Sequence, residues 1–118
     1  MNGHEDDAVD DIDIHIRHLR SDIMHRQESA IRYLSSQGAR AVPALIREMT
    51  SGDETMHDKA TRALAAIGKP AIDDLLEALD DPRPHARKSI IYVLGTIENK
   101  TGEKSRSARR IMKALSEE

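Results

Sequence analysis

The chain has 118 residues, 38% of them apolar and 33% charged, with a net charge of -3; that is enough for one domain with a modest core, and it excludes the bulk basicity that drives general nucleic-acid binding. No cysteine occurs, which removes disulfides, thiolate metal sites and a cysteine nucleophile and fits a reducing cytoplasm. The aromatic residues are Tyr33 and Tyr92 alone, so the core must come from Ile, Leu, Val, Ala and Met, a supply that favours close-packed helices and an all-α fold.

Residues 1–10 contain Glu5, Asp6, Asp7 and Asp10 with little apolar content, which predicts a flexible acidic tail ahead of a single folded domain over 11–118. From Asp11 the pattern changes. Ile12, Ile16, Leu19 and Ile23 recur at the spacing of one helix face, with Asp11, His15, His18 and Asp22 as a polar stripe beside it. A second helix is expected from about Met24 to Gln37, with Ala30, Ile31 and Leu34 inward and Gly38 placed to end it in a left-handed conformation.

Val42, Leu45, Ile46 and Met49 mark its antiparallel partner, and Thr50–Asp53 reads as a loop with Asp53 as an N-cap. The design then returns. Met56, Ala60, Ala63, Leu64 and Ile67 line the next helix, Gly68 ends it, and Ile72, Leu75, Leu76 and Leu79 line the one after, with Pro70 near its start. Asp80–Pro84 is a further loop, followed by the most apolar helix, with Ala86, Ile90, Ile91, Val93, Leu94 and Ile97. Glu98 stands where a glycine is expected, and residues 99–104 read as an insertion before a last helix from near Ser105. On that helix Ala108, Ile111, Met112 and Leu115 face inward, while Arg106, Arg109, Arg110 and Lys113 form the opposite face.

The two central units superpose at a shift of thirty residues: Leu34, Gly38, Ala41 and Leu45 meet Leu64, Gly68, Ala71 and Leu75. Val42, Ile46 and Met49 meet Ile72, Leu76 and Leu79, and Ile12, Ile16 and Leu19 continue the series one unit earlier. Constancy confined to the apolar face is the behaviour of a stacked repeat. The run Gly68–Pro82, followed by Ala86–Arg87 and Leu94–Ile97, resembles the short HEAT-like repeat of phycobilisome-lyase-type proteins. That resemblance implies an all-α right-handed α-α superhelix, a HEAT-like solenoid of about three and a half helix pairs whose second helices line a concave side.

Function is less constrained. His15 and His18, one turn apart and flanked by Asp11 and Asp22, suit a zinc or iron site in part, but one helix stripe does not close a coordination shell. Some HEAT-like proteins are iron hydroxylases with His-Glu ligand pairs; the matching positions here hold Asp58-Lys59 and Lys88-Ser89. A bilin site lacks the cysteine and the aromatic rings it would use. No catalytic constellation and no cofactor are expected. The basic face of Arg106, Arg109, Arg110 and Lys113 could neutralise phosphates, although no aromatic interleaves it to stack a base. Along the second helices, Arg47 in one unit and Asp73, Asp74 and Glu77 in the next form a charged surface suited to a partner protein.

The reading is therefore a non-enzymatic interaction or assembly scaffold, with nucleic-acid binding through the last helix as the alternative. Residues 1–14 hold six acids and no Lys or Arg, whereas residues 100–113 hold six bases and one acid, so head-to-tail self-association is a further expectation. Neither a secretory leader nor a membrane span is expected.

Overall fold

The computed structural model describes residues 3–101, with side chains described from 11 to 99. Among these residues there are six α-helices and no strand: α1 (Gly3–His18), α2 (Met24–Ser36), α3 (Val42–Met49), α4 (Glu54–Ile67), α5 (Ile72–Ala78) and α6 (Pro84–Thr101). Single 3-10 turns, Gly38–Ala41 and Lys69–Ala71, join α2 to α3 and α4 to α5. Helices α2, α4 and α6 pack in sequence as one layer and α1, α3 and α5 as the other. The core lies between the layers as one continuous cluster from Ile16 to Ile97.

The thirty-residue period fixes local geometry as well as packing. Helices α2, α4 and α6 begin at residues 24, 54 and 84. Two residues before each N-cap position a side-chain oxygen accepts a backbone amide: Ile23 N–H donates to Ser21 Oγ at 3.1 Å, Asp53 N–H to Ser51 Oγ at 3.3 Å and Arg83 N–H to Asp81 Oδ1 at 2.9 Å. Such turns satisfy amides that no helix can pair and set the direction in which the next helix starts. Asp53 is the expected N-cap, accepting from the amides of Thr55 and Met56. Gly38 and Gly68 have φ of +58° and +76°, the region where a side chain costs about 1 kcal/mol or more. Residues 41–49 and 71–79 are buried, half-buried and exposed in the same order, position for position.

At two places the elements run further than apolar spacing indicates. Helix α1 reaches back to Gly3, into the stretch 1–10 that composition sets apart as a tail. Helix α6 does not stop near Ile97 but continues through Glu98 and Asn99 to Thr101, into the segment read as an insertion. The cause is the missing terminator: with Glu98 in place of the glycine of the earlier units, no residue there favours the positive φ that closes α4. The expected last helix lies outside the described residues.

Candidate interaction surface

Three surfaces run along the stack, and their charges are arranged differently. On the first-helix layer, Arg62 of α4 pairs with Glu28 of α2 at 3.0 Å. Along the edge of the inter-repeat loops, Arg20 bridges Glu48 at 3.2 Å and Asp53 at 2.8 Å, and Arg83 pairs with Asp81 at 2.8 Å. Arg83 Nη1 also donates to the carbonyl of Thr50 at 3.0 Å, and His85 Nε2 donates to the same oxygen at 3.1 Å. These bonds stitch each loop to its neighbour, so the edge is a structural seam.

The second-helix layer carries two adjoining grooves. Between α1 and α3 lie Ile12, Asp13, Arg40, Pro43, Ala44 and Arg47, and between α3 and α5 lie Pro43, Ile46, Asp74, Glu77 and Ala78. Pro43 belongs to both. The first groove has two guanidinium groups against one carboxylate, and the second has two carboxylates and no base. Among the described residues the side chains of Arg47, Asp74 and Glu77 form no hydrogen bond or ion pair, as is also true of Lys59 and Lys88 on the first-helix layer. Of the four residues singled out from the sequence, Arg47 therefore lines one groove and Asp74 and Glu77 the other. Asp73 is exposed on α5 at the position equivalent to Pro43 and lines neither. Arg106, Arg109, Arg110 and Lys113 lie outside the described residues.

The polar stripe of α1 has a packing role. His15 stacks on Tyr33, with ring centroids 3.8 Å apart and planes 16° apart, and its Nδ1–H donates to the Asp11 carbonyl at 2.7 Å. Among the described residues no three His, Asp or Glu side chains converge as a metal site.

A cleft of about 320 Å³ opens on the loop edge, lined by Met49, Gly52, Glu54, His57, His85 and Ser89. Sequence reading missed it, because its residues come from the end of α3, the loop before α4, α4 and α6 and share no motif. His57 Nε2 lies 3.0 Å from Ser89 Oγ, while His57 Nδ1 is 3.7 Å from the exposed Asp58 carboxylate. The latter distance is beyond hydrogen-bond reach, so Asp58 does not orient the imidazole as the third member of a serine triad would. The repeat supplies another account of this residue. Its equivalents, Gln27 and Arg87, donate to the loop carbonyls of Ser21 and Asp81, whereas His57 turns to Ser89 instead.

The paired helices, the thirty-residue period and the glycine-closed turns agree with a family model described as HEAT repeats, which matches residues 16–95. The chain belongs to the HEAT repeat family. No curated protein and no solved structure matches it. HEAT repeats serve in general as protein-interaction scaffolds, and the family is typically non-catalytic. In this HEAT-repeat chain no described helix is long and apolar enough to cross a membrane.

Proposed function

We propose that this protein is a non-enzymatic scaffold of the short, phycobilisome-lyase-type HEAT class, acting in the cytoplasm and presenting its second-helix surface to a partner protein. The observation that carries the reading is the set of Arg47, Asp74 and Glu77, charged, without partners among the described residues, and bordering apolar groove floors. Solvated charges are common on any helix, and among the described residues Lys59 and Lys88 of the first-helix layer are unpaired too, but Arg47, Asp74 and Glu77 differ in lining two adjoining grooves that share Pro43. Because its side chains stand on helices anchored by Val42, Leu45, Ile72 and Leu75, all buried, the surface is preorganised and a partner meets little ordering cost on this side. Asp73, exposed on the same helix as Asp74 and Glu77, adds negative charge to this surface.

The test is co-purification of a tagged chain from its native cells with and without nuclease. It compares wild type, a combined Arg47→Glu, Asp74→Lys, Glu77→Lys variant, and Lys88→Glu on the opposite layer, all verified as folded by circular dichroism. The expected result is one stoichiometric protein, insensitive to nuclease, retained by Lys88→Glu and lost from the triple variant. Retention by the triple variant would remove this surface from the function. Recovery of nucleic acid, abolished by reversing Arg106, Arg109 and Arg110, would move the function to the C-terminal segment.

A further inference from the structure

Resting on that reading, the two grooves also specify the chemistry of what they hold. They adjoin at Pro43, one on each side of α3, with Arg40 and Arg47 towards α1 and Asp74 and Glu77 towards α5. The apolar residues that line the two grooves are Ile12 and Ala44 in the first, Ile46 and Ala78 in the second, and Pro43 in both. A segment lying along α3 would place an apolar stripe on these residues, with its two flanks facing charges of opposite sign. An α-helix presents such a stripe with two separate flanks at i, i+3, i+4, i+7 spacing; an extended strand, which alternates between two faces, does not.

We infer that the surface receives an amphipathic helix of a partner protein, acidic along the flank that meets Arg40 and Arg47 and basic along the flank that meets Asp74 and Glu77. Asp13, at the outer margin of the basic groove, limits how far the acidic flank extends towards α1. Turning a helix end for end exchanges its flanks, so the charges fix the direction of the partner helix as well as its composition. A partner basic on both flanks would set like charge against Arg47, and one acidic on both flanks would set it against Asp74 and Glu77.

Three synthetic peptides test this, each about 21 residues long so that a helix can form in water. They share one leucine stripe and carry Glu on one flank and Lys on the other, Lys on both, or Glu on both. Fluorescence anisotropy against the full chain should rank the mixed-flank peptide roughly tenfold tighter than either uniform peptide. Arg47→Glu should transfer the preference to the all-Lys peptide, and the Asp74→Lys, Glu77→Lys pair should transfer it to the all-Glu peptide. Equal binding of the mixed and all-Lys peptides to wild type, no binding of any of them, or a ranking unmoved by the reversals would overturn the inference. The scaffold reading fails separately, if the co-purifying protein is retained by the triple variant.

Discussion

His15 of α1 lies flat on Tyr33 of α2, their ring centroids 3.8 Å apart. The repeat explains why this contact exists. Tyr33 occupies the position of Ala63 and Val93, which are fully buried in α4 and α6. Helices α4 and α6 each pack on a preceding first-layer helix, and α2 has none before it among the described residues. A larger ring at position 33, covered by an imidazole that Asp11 holds in place, closes this end of the stack. A double-mutant cycle of His15→Ala and Tyr33→Ala should therefore give a coupling of about 1 kcal/mol. A coupling of only a few tenths in urea denaturation would mean that the two rings merely lie near each other.

The neighbouring His18 makes this end sensitive to acid. Burial, and then the charges of Arg26, His15 and Arg17, hold its imidazole below the ordinary histidine value. Its neutral form is therefore favoured in the folded state. Stability is full while the unfolded chain is also neutral and declines as pH falls through about 6.5, where unfolded histidine takes up a proton. His18→Gln should lose less stability than wild type between about pH 7 and pH 5. Parallel losses in the two proteins would place the acid sensitivity elsewhere.

His57 breaks a structural rule that its equivalents keep. Gln27 and Arg87 tie their loops by donating to the Ser21 and Asp81 carbonyls, and His57 gives up that bond to face Ser89. His57→Gln should restore the tie and raise stability by about 0.5–1 kcal/mol. A lower denaturation midpoint would show that the bond to Ser89 is worth more than the tie.

Glycines at two positions should respond with opposite signs. Gly95 lies within α6, where an added Cβ would meet nothing within 4 Å, and its equivalent in α4 is Ala65. Gly95→Ala should stabilise the chain by about 1 kcal/mol through helix propensity alone. Gly68 has φ +76° and ψ -133°, a conformation that side chains resist, so Gly68→Ala should cost about 1–3 kcal/mol. Thermal denaturation of the two variants, moving in opposite directions, checks both.

Where a physical cause is local, the sequence announces it. Helix starts at Glu54 and Pro84, closure at Gly38 and Gly68, and the buried positions of α3 and α5 all follow from spacing and from residues that act within their own turn. The continuation of α6 past Ile97 was hidden because it depends on what residue 98 lacks. Contacts between layers were hidden for another reason. Periodicity places His15 on a polar stripe but cannot tell that Tyr33, on another helix, lies under it. Arg47, Asp74 and Glu77 could be named from the repeat, while their freedom from partners depends on the separation of α1, α3 and α5, which no one-dimensional pattern encodes.

Asp81 offers the sharpest dependence on pH. Its hydrogen bonds to the Arg83 side chain are the main cause holding its carboxyl at about 2, assisted by the Arg83 amide and against a smaller opposing effect of burial. The bond has a reach beyond its own loop, because the guanidinium that Asp81 orients also donates to the Thr50 carbonyl at the end of α3. An ionised Asp81 thus holds the third loop against the second. Its folded value lies below the unfolded one, so the stabilisation is fully present above about pH 4 and is lost as pH falls towards 2. Asp81→Asn should be less stable than wild type by about 1 kcal/mol at neutral pH, since the amide cannot hold the guanidinium by charge. The difference in urea midpoint between the two proteins should stay constant down to about pH 4 and shrink towards zero near pH 2. Arg83 remains charged throughout that range, so a difference that ignored pH would show the loss to be one of shape or turn propensity, and the Asp81 charge would then have no part in joining the loops.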